Sequence, residues 1–191
     1  MNTGGTKLDG TKEILNPKTK KVTWSVEDNT LILKNKGGGY LWSQECYSNF
    51  ILDLEVKTKG NSGIFFRTDK PKDPVQTGME LQILPKGAPG QNKNFAAFYD
   101  LQAPSKEVSA GFDKWHHVTL TCKDNILSVT VDGEKVNEMD VNKWTEAKKN
   151  PDGSKNKYKR PIKDYVRDGY IGFQDHGAEV HYRNIKIKRL K

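Results

Sequence analysis

The feature that most constrains this chain is a two-residue alternation of apolar and polar side chains, broken repeatedly by tight-turn pairs. In NFILDLEVK, Phe50, Leu52, Leu54 and Val56 fall on one side and Ile51, Asp53, Glu55 and Lys57 on the other, the pattern of a strand with one buried face. WHHVTLTCK repeats it with Val118, Leu120 and Cys122. Asp28-Asn29, Asp124-Asn125 and Asp132-Gly133 each offer a turn into a returning strand. Helical periodicity is almost absent. The expected fold is all-β, an antiparallel two-sheet β-sandwich, with residues 1–191 forming a single domain.

Composition agrees: hydrophobic residues make up only 34%, while 17 glycines and 8 prolines favour many loops. Two long irregular segments, at about 68–78 and 143–168, interrupt the strands, and loops of this length usually serve a function or are disordered. Trp144, Tyr158 and Tyr165 in the second argue that it packs as a lid or wall. That segment also concentrates the basic residues behind the net charge of +8. No aromatic side chains interleave with them as a base-stacking platform requires, so nucleic acid is not an expected partner. No apolar run is long enough to span a bilayer. The opening MNTGGTKLDG lacks the apolar core of an export signal, although a chain beginning after a removed signal would look the same. Cys46 and Cys122 follow no metal-ligand spacing and read as buried free thiols, with a single disulfide as the alternative.

Three segments can be set in phase. NSGIFFR turns Ile64 and Phe66 to the core and leaves Gly63, Phe65 and Arg67 on the opposite face; GMELQIL leaves Glu80 and Gln82 there; YIGFQDH leaves Gly172, Gln174 and His176. If these strands are neighbours, Arg67, Glu80, Gln82, Gln174 and His176 form one polar patch on the outer face of a sheet. Gly63 and Gly172 would let something approach it. Every sandwich has a polar outer face, but the other strands decorate theirs with Thr and Lys. If the alternation holds, Asp175 points inward and either caps backbone amides or accepts from a buried partner. In AEVHYRNIKIKRL the apolar phase switches near Arg183-Asn184, which implies a bulge.

Taken together, NSGIFFR, GMELQIL, FYDLQAP, DKWHHVTL, NPDGSKNKY and GYIGFQDHGAEVHYRNIKI resemble the bacterial 3-keto-disaccharide hydrolase domain family, from about Trp24 to Leu190. The front end departs from the family pattern, because KLDGTKE, Lys7 to Glu13, stands where members carry an "LFDG" type segment. The resemblance implies a concanavalin A-like jelly roll and a carbohydrate partner. It also implies cleavage of glycosides already oxidised to a ketone at C3, in a periplasmic or extracellular setting.

A conventional retaining glycosidase needs two carboxylates flanking the bond. Laminarinase-type enzymes of this fold carry them as Glu-x-Asp-x-(x)-Glu, and Glu80-Leu81-Gln82-Ile83-Leu84-Pro85 keeps only the first. A C3 ketone changes the requirement. It acidifies the C2 hydrogen, so a base can remove it, charge collects on O3, the C1 substituent departs, and water adds back. That route needs a base, a partner for the enolate oxygen and an acid for the leaving group. The candidates are Glu80 and His176 as base and acid in either order, with Arg67 at the enolate and Gln82 and Gln174 on sugar hydroxyls. Tyr99 could stack on a ring or pack in the core, Asp100 could hold a hydroxyl or a cation, and Lys157 lies at a site wall or in solvent. His116 and His117 read as structural. No organic cofactor is expected; no His-x-x-x-His spacing appears, but Glu80, His176 and Asp100 leave room for a metal assembled from separate segments. The alternative function is a non-catalytic, lectin-like carbohydrate-binding module.

Overall fold

A computed structural model describes residues 5–6, 13–16, 18–85, 93–108, 111–112 and 114–191. Its strands are β1 (Gly5–Thr6), β2 (Glu13–Leu15), β3 (Val22–Glu27), β4 (Thr30–Leu33), β5 (Tyr40–Trp42), β6 (Phe50–Thr58) and β7 (Ser62–Thr68). After the one-turn helix α1 (Pro74–Thr77) come β8 (Met79–Ile83), β9 (His116–Lys123), β10 (Ile126–Val131), β11 (Glu134–Asp140), β12 (Tyr170–Phe173) and β13 (Val180–Arg189). The KLDGTK stretch that departs from the family pattern lies outside the described residues.

They form two sheets, one of five strands in the order β1-β5-β12-β7-β8 and one of eight in the order β11-β10-β9-β6-β13-β4-β3-β2. All pairings are antiparallel except that of β1 with β5. The sheets enclose one apolar layer. β6 alternates without exception, burying Phe50, Leu52, Leu54 and Val56 against Ile64, Phe66, Leu81 and Ile171 of the smaller sheet. The predicted β-sandwich is therefore the observed one.

The second irregular segment packs as the sequence implies. Trp144, Tyr158, Ile162 and Tyr165 are buried in the same core, and Trp144 donates its indole N–H to Asn150 at 2.9 Å. Gln76 of α1 ties the two long loops together: its Oε1 accepts from the Lys159 amide at 3.0 Å and its Nε2 donates to the Lys157 carbonyl at 3.1 Å. These bonds hold residues 157–159 against the loop that leads into β8. Cys46 and Cys122 are both free; Cys122 is buried and Cys46 half-buried.

The bulge forecast in the last strand is present. Arg183 pairs with Glu55 but Lys186 with Asp53, and Asn184 adopts a φ of 52°. It lies in the eight-stranded sheet, so it re-aims Ile185 and Ile187 rather than any residue of the predicted patch.

Candidate functional site

The middle strands of the smaller sheet are neighbours, as the phasing required. Gly172 pairs with Trp42 on one side and with Phe65 on the other, while Phe65 pairs with Glu80 and Gly63 with Gln82. The outer face of this sheet therefore carries Tyr40 and Trp42, Gly172 and Gln174, Gly63 and Phe65, and Glu80 and Gln82 in four adjacent rows. Its floor is aromatic: Tyr40 stacks on Phe65 at 5.6 Å with the planes 20° apart, and Trp42 lies tilted 6.1 Å from Phe65. This floor was missed as a binding element. KGGGYLW already carried the signal, since Tyr40 and Trp42 share parity just after a run of glycines that cannot itself cover them.

The two glycines have a different purpose from the one expected. A Cβ at Gly63 would sit 2.1 Å from Glu80 Oε1, and one at Gly172 would sit 2.4 Å from the Trp42 ring. The space they vacate is filled by the site's own side chains, which lie flat across the neighbouring strand. Glu80 is thereby pressed against the sheet with only 4% of its surface exposed.

Burial is the main cause of its electrostatics. Loss of hydration pushes the Glu80 carboxyl up to about 8, opposed only in part by the positive charge of Lys157 and by a hydrogen bond with Gln174. Glu80 is thus largely protonated at neutral pH and becomes a strong carboxylate base when it ionises. Tyr40 is raised in turn, first by burial and then by the Glu80 charge. Gln174 is 94% buried by the same packing (6% exposed), and its Oε1 has no hydrogen-bond partner among the described residues. Ser62 Oγ donates to the Gln174 carbonyl at 3.0 Å and holds this stretch of chain in place.

Lys157 stands at one end of the face. Its Nζ lies 4.0 Å from the centre of the Tyr99 ring, its amide donates to Asp100 Oδ2 at 2.8 Å, and Tyr158 OH donates to the Tyr99 carbonyl at 2.8 Å. The Tyr99 amide donates to the Glu80 carbonyl at 2.9 Å, which attaches this unit directly to β8. Tyr99, Asp100 and Lys157 therefore gather beside Glu80, but Asp100 orders the 157 loop instead of facing open space; Lys93 Nζ is its other partner at 3.5 Å.

Three expectations fail. Arg67 is not on the outer face: three steps of β7 (Phe65 to Thr68) match two steps of β12 (Gly172 to Tyr170), and Arg67 takes a φ of 49°. This bulge reverses its parity. The guanidinium, 1% exposed, crosses instead to the eight-stranded sheet and donates to the carbonyls of Ser48 at 3.0 Å and Asp124 at 2.9 Å and to Asn49 Oδ1 at 3.3 Å. Gln82 has the expected face, but its Nε2 is spent on Asn61 and on the Ser62 carbonyl at 3.1 Å, so it fixes the sheet edge.

His176 falls beyond the end of β12. It is exposed and has no hydrogen-bond or ion-pair partner among the described residues, standing in a groove with Asn16, Lys21, Asn35 and Lys36 rather than against Glu80. Asp175 behaves as read, accepting from the amides of Gly37 at 2.7 Å and Gly38 at 3.0 Å. His116 and His117 are indeed structural, bonded to Asp132 and Asp53 at 2.9 and 2.8 Å on the other sheet. His181 pairs there with Glu179 at 2.9 Å. Among the described residues no three His, Cys, Asp or Glu side chains converge as metal ligands, and no helix is long and apolar enough to cross a membrane.

The family model described as 3-keto-alpha-glucoside-1,2-lyase-like domain matches residues 2–188. The chain belongs to that family. The match starts well before Trp24 and so includes the divergent front end. A curated relative from Bacteroides thetaiotaomicron, named 3-keto-disaccharide hydrolase, is 27% identical over 203 residues, covering 87% of this chain and 70% of its own length. A crystal structure from Parabacteroides distasonis, described as a candidate glycosyl hydrolase, superposes with a TM-score of 0.80 at 32% identity, over 88% of this chain and 90% of that one. A second from the same organism, described the same way, gives 0.70 at 21% identity over 94% and 88% and supports the fold alone.

Proposed function

We propose that the outer face of the five-stranded sheet is the active site of an enzyme that cleaves 3-keto-glycosides by elimination across C1–C2 followed by addition of water. The observation that carries this reading is a single carboxyl group, Glu80, desolvated on an aromatic floor and raised to about 8. Family membership supplies the substrate class. A sugar ring lying on the half-buried Tyr40 and Trp42, which the fully buried Phe65 backs, would bring its carbon skeleton over Glu80. The ionised carboxylate takes the C2 hydrogen as a proton, and the electron pair moves through the ketone onto O3. The C1–O bond then breaks, its electrons leaving with the aglycone oxygen, which takes up a proton. Water adds across the new C1=C2 bond and yields the free 3-keto sugar.

In this scheme the enolate partner is Lys157, not Arg67. Lys157 is the cation whose field already reaches Glu80, and its exposed ammonium is free to turn from the Tyr99 ring toward developing charge. Gln174 fixes the carboxyl and offers an unpaired oxygen. His176, on the rim two residues past Gln174, serves the departing oxygen as acid. The sugar's arrival would displace the remaining water from Glu80, and the carboxylate is then a base of matched strength for a ketone-activated C–H bond.

The aromatic floor favours one rival, a carbohydrate-binding module without chemistry. The two separate on one experiment: incubation with a 3-keto-glucoside and with its unoxidised parent, following release of the aglycone. The reading requires release from the first only, and loss of that release in Glu80→Gln. Binding of both without release from either would leave the binding module.

A further inference from the structure

The rim beyond Gln174 is unlike the rest of the face. Asn16, Lys21, Asn35, Lys36 and His176 line an open groove of about 540 Å³, and none of its lining residues is acidic. The ammonium groups of Lys21 and Lys36 have no carboxylate partner among the described residues, whereas Lys34 pairs with Glu27 and Lys59 with Glu179. The nearest carboxylate, Asp175, is turned away and held by the amides of Gly37, Gly38 and Gly177. Gly177, at a φ of 94°, leaves a gap against which the Lys36 stem packs, its Cβ 3.2 Å from where a glycine Cβ would be.

The groove continues the proposed active site. Asn35 and Lys36 run through three glycines directly into Tyr40 of the aromatic floor, and His176 follows Gln174 by two residues. Asp175, between them, accepts from the amides of Gly37 and Gly38, which ties this stretch to the segment that leads into Tyr40. A cationic hollow joined to the sugar-binding floor, with its own anion withdrawn, is complementary to a negative charge brought by the ligand.

Resting on the enzyme reading above, we propose that the groove binds an anionic ester, a sulfate or phosphate monoester, carried on the leaving group of the glycoside whose sugar ring lies on Tyr40 and Trp42. Lys21 and Lys36 supply the charge, while the side chains of Asn16 and Asn35, which donate to the Lys36 and Val22 carbonyls, hold the two chain segments in register.

The test uses the full chain and two unoxidised, hence unreactive, probes: phenyl glucoside and phenyl glucoside bearing a sulfate ester on the phenyl ring. By calorimetry the sulfated probe should bind about tenfold more tightly at low salt, a gain of the size one or two exposed charge pairs provide, and the gain should shrink in strong salt. Lys36→Ala should bring the ratio to within about twofold, and Lys186→Ala, on the other sheet, should leave it as it is. Equal binding of the probes, no binding of either, or a preference that survives in both Lys36→Ala and Lys21→Ala overturns the inference. A phosphate-ester probe run beside it tells which monoester is preferred. Aglycone release from the neutral 3-keto-glucoside is scored separately: release without any sulfate preference sinks the groove alone, and sulfate preference without release sinks the enzyme reading alone.

Discussion

The outer faces of the two sheets use the same residue types to opposite ends. On the eight-stranded sheet carboxylates stand beside basic groups: Asp53 meets His117 at 2.8 Å, Glu55 meets Arg183, and Glu179 meets Lys59 at 2.7 Å and His181 at 2.9 Å. Glu55 and Glu179 are held below the usual carboxylate range, chiefly by those hydrogen bonds. On the five-stranded sheet Glu80 has aromatic neighbours and an amide, and is pushed up to about 8. Pairing makes a carboxylate inert across the neutral range; isolation under apolar cover makes one titrate within it. A glutamate in a strand is therefore not a functional signal by itself. Its rows of neighbours decide.

The largest effect that could break this contrast is at Glu80. Glu80→Gln should lower kcat/KM on a 3-keto-glycoside by at least about a thousandfold, as loss of the proton-transfer group demands. With the base ionising near 8, the limb of the pH profile that reports it should rise through neutral pH with its midpoint near 8. Stability should run the other way. The folded carboxyl is raised from 4.5, so its protonated form stabilises the fold fully below pH 4.5 and that contribution is lost as pH rises through about 8. Thermal melts should therefore decline for the parent between pH 5 and 8 more steeply than for Glu80→Gln. Parallel slopes would mean that Glu80 is better hydrated than its packing implies.

Gly63→Ala sharpens the same point without touching an ionisable group. The new Cβ cannot coexist with Glu80 Oε1 at 2.1 Å, so the carboxyl must lift off the sheet into better-hydrated surroundings. The pH midpoint of activity should fall by about one unit or more, and kcat by about ten- to a hundredfold, because geometry is lost along with the shift. An unchanged midpoint would place the origin of the shift elsewhere.

Most of this architecture was readable before any coordinates. Alternation in NFILDLEVK and WHHVTLTCK, turn pairs such as Asp132-Gly133, and the phase switch at Arg183-Asn184 are local consequences of strand geometry, and each appears where it was read. Glu80 and Gln174 were placed on a common face because parity is carried by the backbone. Arg67 was misplaced for the same reason. A bulge costs one residue and leaves no composition signal in NSGIFFR, so only pairing with β12 reveals the parity reversal. His176 was read as the last step of a strand that ends at Phe173, where Asp175 turns to cap the glycine amides and ends the alternation. The shared parity of Tyr40 and Trp42 shows in KGGGYLW, but setting them against Phe65 and Gly172 requires the long-range pairing of β5 with β12, which neither segment carries.

Arg67 and Glu55 give the two smaller tests. Arg67→Met removes a buried cation that satisfies two carbonyls and an amide oxygen, so those acceptors lose their donors inside the sandwich. We expect about 2–4 kcal/mol of lost stability by chemical denaturation, with turnover per folded molecule within about twofold of the parent. A catalytic loss on the scale of Glu80→Gln would return Arg67 to the site.

Glu55→Gln is the control on the opposite face. Its partner Arg183 stays 39% exposed and also stacks 4.2 Å over Trp115, so the ion pair is screened and the guanidinium keeps a second anchor. The cost should not exceed about 1 kcal/mol. Because Glu55 is lowered rather than raised, its contribution is present above the unfolded value near 4.5 and fades as the solution becomes more acidic, opposite in direction to Glu80. Melts of Glu55→Gln and parent should thus converge at acid pH and separate slightly at neutral pH. Should Glu55→Gln instead reproduce the slope change of Glu80→Gln, the distinction between a paired face and an isolated carboxyl would not describe this protein.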